Sequence, residues 1–135
     1  MKINDSYEEE IMFSQNDVEK FAELSGDHNP IHLNFEFAAK TIFKKPIVHG
    51  ILVASVFSKI LGNIFPGEGT IYRKQSLNFS LPVYVGQKYF VKLIILDIDR
   101  FKGSAVIETK ILSNIEENVL VGEAIVYNSK FKTSI

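Results

Sequence analysis

The sequence contains no cysteine among its 135 residues. Disulfides, thiolate metal sites and a cysteine nucleophile are thereby excluded together, and a reducing compartment is the natural setting. Neither sign of charge is in excess: 15 Lys and Arg against 16 Asp and Glu give a formal net charge of −1. That balance leaves no electrostatic footprint for a nucleic-acid backbone or an anionic membrane surface, so neither is an expected partner. The first ten residues, MKINDSYEEE, are acidic and lack the apolar core of a secretory signal, which makes the cytoplasm the expected location. Internal repeats and low-complexity segments are missing too. The longest apolar run, Ile47 to Phe65, is interrupted by His49 and Lys59, and a helix of about 15 residues would be roughly 22 Å long, too short to cross a bilayer. What remains is an ordinary globular composition, 46% hydrophobic and 23% charged, which predicts one domain spanning residues 1–135 with a real core.

That apolar run organises the rest. Pro46 cannot sit inside a helix, so the pattern predicts a helix from about His49 to Asn63, buried on nearly every side. Ser55, Ser58 and Gly62 fall on one stripe of it, where another group can approach closely, and Lys59 can reach solvent at a rim. Upstream, Tyr7 to Phe13 reads as a short edge strand, and Ser14 with Asp17 forms a capping-box start for a helix that Gly26 stops. Asn29-Pro30 is a turn signal that places Asp27, His28 and His32 on a loop. Asn34 can cap a further short helix, Phe35 to about Thr41. Beyond the Pro66–Gly69 turn the period becomes alternating, with four strands predicted at Thr70–Phe79, Lys88–Asp99, Ser104–Ser113 and Val119–Lys130. Their short connections imply antiparallel neighbours. Val91, Leu93 and Ile95 on one face and Phe90, Ile94 and Leu96 on the other predict a sheet covered by the helix on one side and by loops or a second subunit on the other. The fold class is α+β.

All three histidines, His28, His32 and His49, lie between Ser25 and Gly50 with Asp27 beside the first. A histidine placed like His49 most often donates to a backbone carbonyl, and Asp27 and Asn29 commonly bond their own backbone in turns. A metal site through His28 and His32 would need an unbroken helix, and Pro30 stands between them. A serine nucleophile would need a sharp turn, whereas Ser55 and Ser58 are inside a helix and the G-x-S-x-G pattern is missing. A carboxylate and an imidazole holding one water need to be about 5 to 6 Å apart, which a turn at Asn29-Pro30 can provide for Asp27 and His32. The amide of Gly50 would be an unpaired donor at the long helix's start, suited to a substrate carbonyl oxygen, with no side chain to obstruct the approach.

Ser25-Gly26-Asp27-His28-Asn29-Pro30-Ile31-His32 resembles the S-G-D-x-N-P-x-H signature of MaoC-like (R)-specific enoyl-CoA hydratases, and Pro46-Ile47-Val48-His49-Gly50 their P-I-V-H-G. Phe65 to Tyr72 is similar to the family's P-G-x-G-x-x-Y connection, and Phe79 to Gly86 to its F-x-x-P-V-x-x-G strand and turn. The resemblance covers roughly residues 14 to 130. It implies a hot-dog fold, a curved antiparallel sheet wrapped around a long central helix, in a homodimer. It also implies an acyl thioester substrate on coenzyme A or acyl carrier protein, with no metal and no redox cofactor. Residue by residue, it gives Asp27 and His32 as the catalytic pair and Gly50 as the carbonyl-polarising amide. Ser58 and Leu61 would line the acyl pocket, and Asn29 and His49 would support substrate binding. Asn34, Gln87 and Lys59 depart from the usual pattern without removing a catalytic group. On the same fold a thioesterase would be expected to carry an acidic residue on the long helix, and Ile47 to Phe65 has none. A non-catalytic acyl-binding module would not need both Asp27 and His32.

Overall fold

The computed structural model describes residues 1–133; positions 134 and 135 of the expected domain lie outside the described residues. Six strands form one antiparallel sheet in the order β1-β4-β5-β6-β2, with β3 also on β6. These are β1 (Ser6–Ile11), β2 (Ile71–Gln75), β3 (Asn78–Phe79), β4 (Tyr89–Asp99), β5 (Ser104–Ser113) and β6 (Asn118–Tyr127). The helices are α1 (Gln15–Ser25), α2 (Pro30–Leu33), α3 (Phe35–Ala39) and α4 (Gly50–Asn63). This is the expected hot-dog arrangement.

Alternation along the long strands aims one row of side chains at α4. Val91, Ile111 and Leu120 stand opposite one another across β4, β5 and β6, and Ile95, Ile107 and Ala124 form a second such row. All six are buried, packed with Val53, Phe57, Ile60 and Leu61 of α4. The period-2 pattern of the sheet thus meets the period-3.6 stripe of the helix in one core. The opposite face is not covered in the chain itself, where Phe90 and Leu96 are exposed.

Three expectations are corrected. Helix α4 is not buried on nearly every side: Ile51, Ser55, Ser58, Lys59, Gly62 and Asn63 are exposed, because the stripe of small and polar residues faces away from the sheet. Lys59 pairs with Glu9 and ties this outer face to β1. The run Thr70–Phe79 is not one strand, since pairing with β6 is interrupted between β2 and β3. There the chain passes so close to β6 that a Cβ on Gly122 would lie 1.8 Å from the Ser76 carbonyl oxygen, a separation only glycine permits. Finally, the last strand ends at Tyr127, and Asn128 caps a single 3-10 turn, Ser129–Phe131, whose Phe131 fills the core.

Candidate active site

The site begins where α1 ends. Its capping box at Ser14 and Asp17 starts the helix, and the N–H of Gly26 donates to Ala22 at 2.9 Å to close it. The next residues fold onto their own side chains. Ser25 Oγ accepts from the Asp27 N–H (3.1 Å), Asp27 Oδ1 from the Asn29 N–H (3.1 Å) and Asn29 Oδ1 from the Ile31 N–H (3.2 Å). Asn29, expected to support substrate binding, is therefore the N-cap of α2, and Pro30 takes the first helical position, where a missing N–H costs no bond.

His32 lies on α2, not on the loop that the turn signal predicts; the turn is complete at Asn29, and Pro30 starts a helix instead of extending the loop. Its Nδ1 is 2.7 Å from the Ile47 carbonyl oxygen. A carbonyl only accepts, so Nδ1 carries the hydrogen, and Nε2 of the neutral ring keeps its lone pair. Two further bonds anchor the backbone that carries the ring, Gln15 Nε2 donating to the His32 carbonyl (3.1 Å) and the Ile47 N–H donating to the Ile31 carbonyl (3.2 Å). Burial holds the His32 pKa below its ordinary value of 6.5; the Ile47 bond opposes that shift, nearby His49 adds to it and Asp27 opposes it.

His49, the N-cap position of α4, is 2% exposed. Its Nε2 lies 3.1 Å from the Asp27 carbonyl oxygen, and its ring stacks on His32 with centroids 3.8 Å apart. A carboxylate oxygen of Asp27 and one ring nitrogen each from His32 and His49 fall within 4.8 Å of one another. That is closer than the expected separation of about 5 to 6 Å, but two hydrogen bonds of about 2.8 Å meeting at a tetrahedral oxygen span about 4.6 Å, so Asp27 and His32 can still share a single water. The same trio fits a metal poorly. Imidazole lone pairs lie in the ring planes, and two rings stacked 26° from parallel aim them side by side, not toward one ion at roughly 2.1 Å from each. His28 is exposed and stands outside the cluster.

Gly50 opens α4. The first intrahelical bond is from the Val53 N–H to His49 (3.1 Å), which leaves the Gly50, Ile51 and Leu52 amides without a helical acceptor. A cavity of about 460 Å³ borders His32 and Gly50, with walls from Phe43, Val48, Ile51, Phe79, Leu81 and Val83 among others. That volume suits a small organic ligand. The Phe79 ring lies over Gly50 so closely that a Cβ there would sit 2.6 Å from its Cε1.

The structure thus brings together Asp27, His32, His49 and Gly50. Ser58 is exposed on the outer face of α4 and Leu61 is packed in the core, and neither borders the cavity. Sequence reasoning gave no role to Phe43 or Phe79. Phe79 stands at the head of the quoted F-x-x-P-V-x-x-G stretch, and its place over the helix start depends on the break between β2 and β3, which alternation does not signal.

A family model described as MaoC like domain matches residues 2–116. The chain belongs to the MaoC-like domain family. Within that family, it is 44% identical over 114 residues to an (R)-specific enoyl-CoA hydratase of Aeromonas caviae, covering 84% of this chain and 85% of the relative. It is 39% identical over 127 residues to a mitochondrial 3-hydroxyacyl-[acyl-carrier-protein] dehydratase of Arabidopsis thaliana, covering 92% and 75%. Among solved structures, the (R)-hydratase from Aeromonas caviae superposes with a TM-score of 0.91 at 39% identity, covering 94% of this chain and 96% of that one. The MaoC-like fold expected from the four motifs is therefore the fold of this chain.

Proposed function

We propose that this MaoC-like protein is a hydro-lyase that adds water reversibly to trans-2-enoyl thioesters, giving (R)-3-hydroxyacyl thioesters. One observation carries the reading: Asp27 and His32 present a carboxylate oxygen and a ring nitrogen within 4.8 Å of each other, beside a helix-start amide and an apolar cavity. The relatives named hydratase and dehydratase support it.

In this mechanism the water is held between the Asp27 carboxylate and Nε2 of neutral His32. Its oxygen forms the new bond at Cβ while the pair removes one of its protons, and a proton is delivered to Cα on the same face. Negative charge gathers meanwhile on the thioester oxygen. The Gly50 amide donates to that oxygen, and no reorganisation is needed because the helix already aims the donor. Asp27 and His32 exchange the two protons as one coupled pair. The apolar cavity takes the thioester substrate, whose carrier is coenzyme A or acyl carrier protein, and a homodimer is the working assembly.

The test is to mix purified protein with crotonyl-CoA and follow enoyl absorbance, free thiol and product chirality together. Loss of absorbance without thiol release, yielding the (R)-alcohol and abolished in a folded Asp27→Asn variant, is the expected outcome. Thiol release, or a variant that keeps near-full activity, refutes the assignment.

A further inference from the structure

His49 contacts both Asp27 and His32 and directly precedes Gly50, yet does not border the cavity. Its side chain is 2% exposed, so it has no surface to offer a substrate. Its Nε2 hydrogen is committed to the Asp27 carbonyl at 3.1 Å, because that oxygen only accepts. One flat face lies on His32 at 3.8 Å, and the ring meets Phe21 of α1 edge-on at 4.9 Å. Its backbone is the N-cap from which α4, and with it the Gly50 amide, departs. Nδ1 is buried and has no hydrogen-bond partner, although leaving a buried acceptor unpaired is costly. A leucine or phenylalanine would fill the space without that cost, so packing does not account for an imidazole here. The donor bond to Asp27 does.

We infer that His49 is the positioning residue of the Asp27–His32 pair: its Nε2–H fixes the Asp27 backbone, and its ring face fixes the His32 plane, so together they set the gap in which the water is held. The inference rests on the hydration reading for its kinetic consequence but not for its structural one. Asp27 is on an exposed turn whose other bonds are all local, to Ser25 and Asn29. Those bonds shape the turn. They tie it to the end of α1 and to Asn29, the N-cap of α2, but not to α4, and the bond from His49, 22 residues away, ties it to the start of that helix. Because the contact is to the Asp27 main chain, it leaves the carboxylate free for chemistry.

Two substitutions separate the functions of the ring. His49→Phe keeps a flat face on His32 and removes the donor, whereas His49→Gln keeps a donor that can reach the Asp27 carbonyl and removes the face. A misplacement near 1 Å costs about 100-fold in rate, so His49→Phe is expected to lower kcat by about 30- to 100-fold with KM changed by less than about threefold. His49→Gln should recover most of that loss. Crystal structures of both variants supply a readout that needs no activity: in His49→Phe the Asp27 carboxylate should move away from His32, and in His49→Gln it should stay. A folded His49→Phe protein with an unchanged Asp27–His32 separation and wild-type kcat overturns the inference. So does a rise in KM alone, or a His49→Gln variant no better than His49→Phe. If wild type itself fails to hydrate crotonyl-CoA, the hydration reading fails, and the two crystal structures still decide the role of His49.

Discussion

At the scale of single residues, the acid–base behaviour of the site turns on His32. Burial keeps its folded pKa below 6.5, so the neutral base form persists to lower pH than an exposed histidine would allow. The acid limb of kcat/KM should accordingly fall with an apparent pKa below 6.5, a value that belongs to the Asp27–His32 pair jointly. The sign for stability runs the other way from an ion-paired histidine. With a lowered folded value the unfolded chain binds the proton more readily, so this group removes stability as pH drops from 6.5 through the folded value and contributes none above it. Urea midpoints measured across that window should therefore decline toward acid in wild type and decline less in His32→Gln. Gly50 gives a second test. Alanine keeps the amide but would place Cβ 2.6 Å from the Phe79 ring, so Gly50→Ala should lower kcat/KM by about tenfold or more, as small errors of placement do. Adding Phe79→Leu should return part of that loss, a coupling that a double-mutant cycle measures.

At the scale of elements, most of the structure was legible because one period dominated each segment. The capping box at Ser14 and Asp17, the stop at Gly26 and the alternation of β4 and β5 involve neighbours in sequence, and each is found where the pattern predicts it. The departures have different causes. The Asn29-Pro30 turn signal predicts a loop through His32, whereas Pro30 begins α2. Alternation predicts one strand over Thr70–Phe79, whereas the chain breaks where Gly122, 46 residues beyond Ser76, admits the Ser76 carbonyl through its missing side chain. The same break sets Phe79 over Gly50, which is why the sequence points to Asp27, His32 and Gly50 but not to the ring over the helix start. An added Cβ at Gly122 would meet backbone at 1.8 Å, and backbone cannot swing aside as a side chain can. Gly122→Ala is therefore expected to cost at least about 3 kcal/mol, in the range of severe core substitutions, and a thermal melt checks it. Ser14→Ala, which removes a solvent-exposed cap, should cost only about 1 kcal/mol.

At the scale of the whole molecule, the two outer edges of the sheet differ. Strand β1 closes one side with Glu8, Glu9 and Glu10; Glu10 pairs with Lys88, just before β4, Glu8 with Lys92 of β4, and Glu9 with Lys59. Charge of this density discourages another strand from pairing there. The other edge, β2 with β3, bonds to β6 on one side only and shows Ile71 at 60% exposure and Phe79 at 49%, with Tyr72 and Leu81 also exposed. Phe79 and Leu81 also wall the cavity, as does the exposed Ile51 of α4. An open edge whose apolar side chains continue into the mouth of the site is the surface a second copy would cover, and the proposed homodimer is expected to form along it. Light scattering should then give about twice 15.3 kDa for the wild type, the mass of two chains joined by one symmetric interface. Ile71→Glu places a charge on that edge and should shift the protein toward the monomer. Because Phe79 and Leu81 would lose their cover, hydration activity should fall with the dimer fraction as the variant is diluted. An Ile71→Glu protein that keeps both the doubled mass and full activity would place the interface elsewhere and leave the β2 edge free.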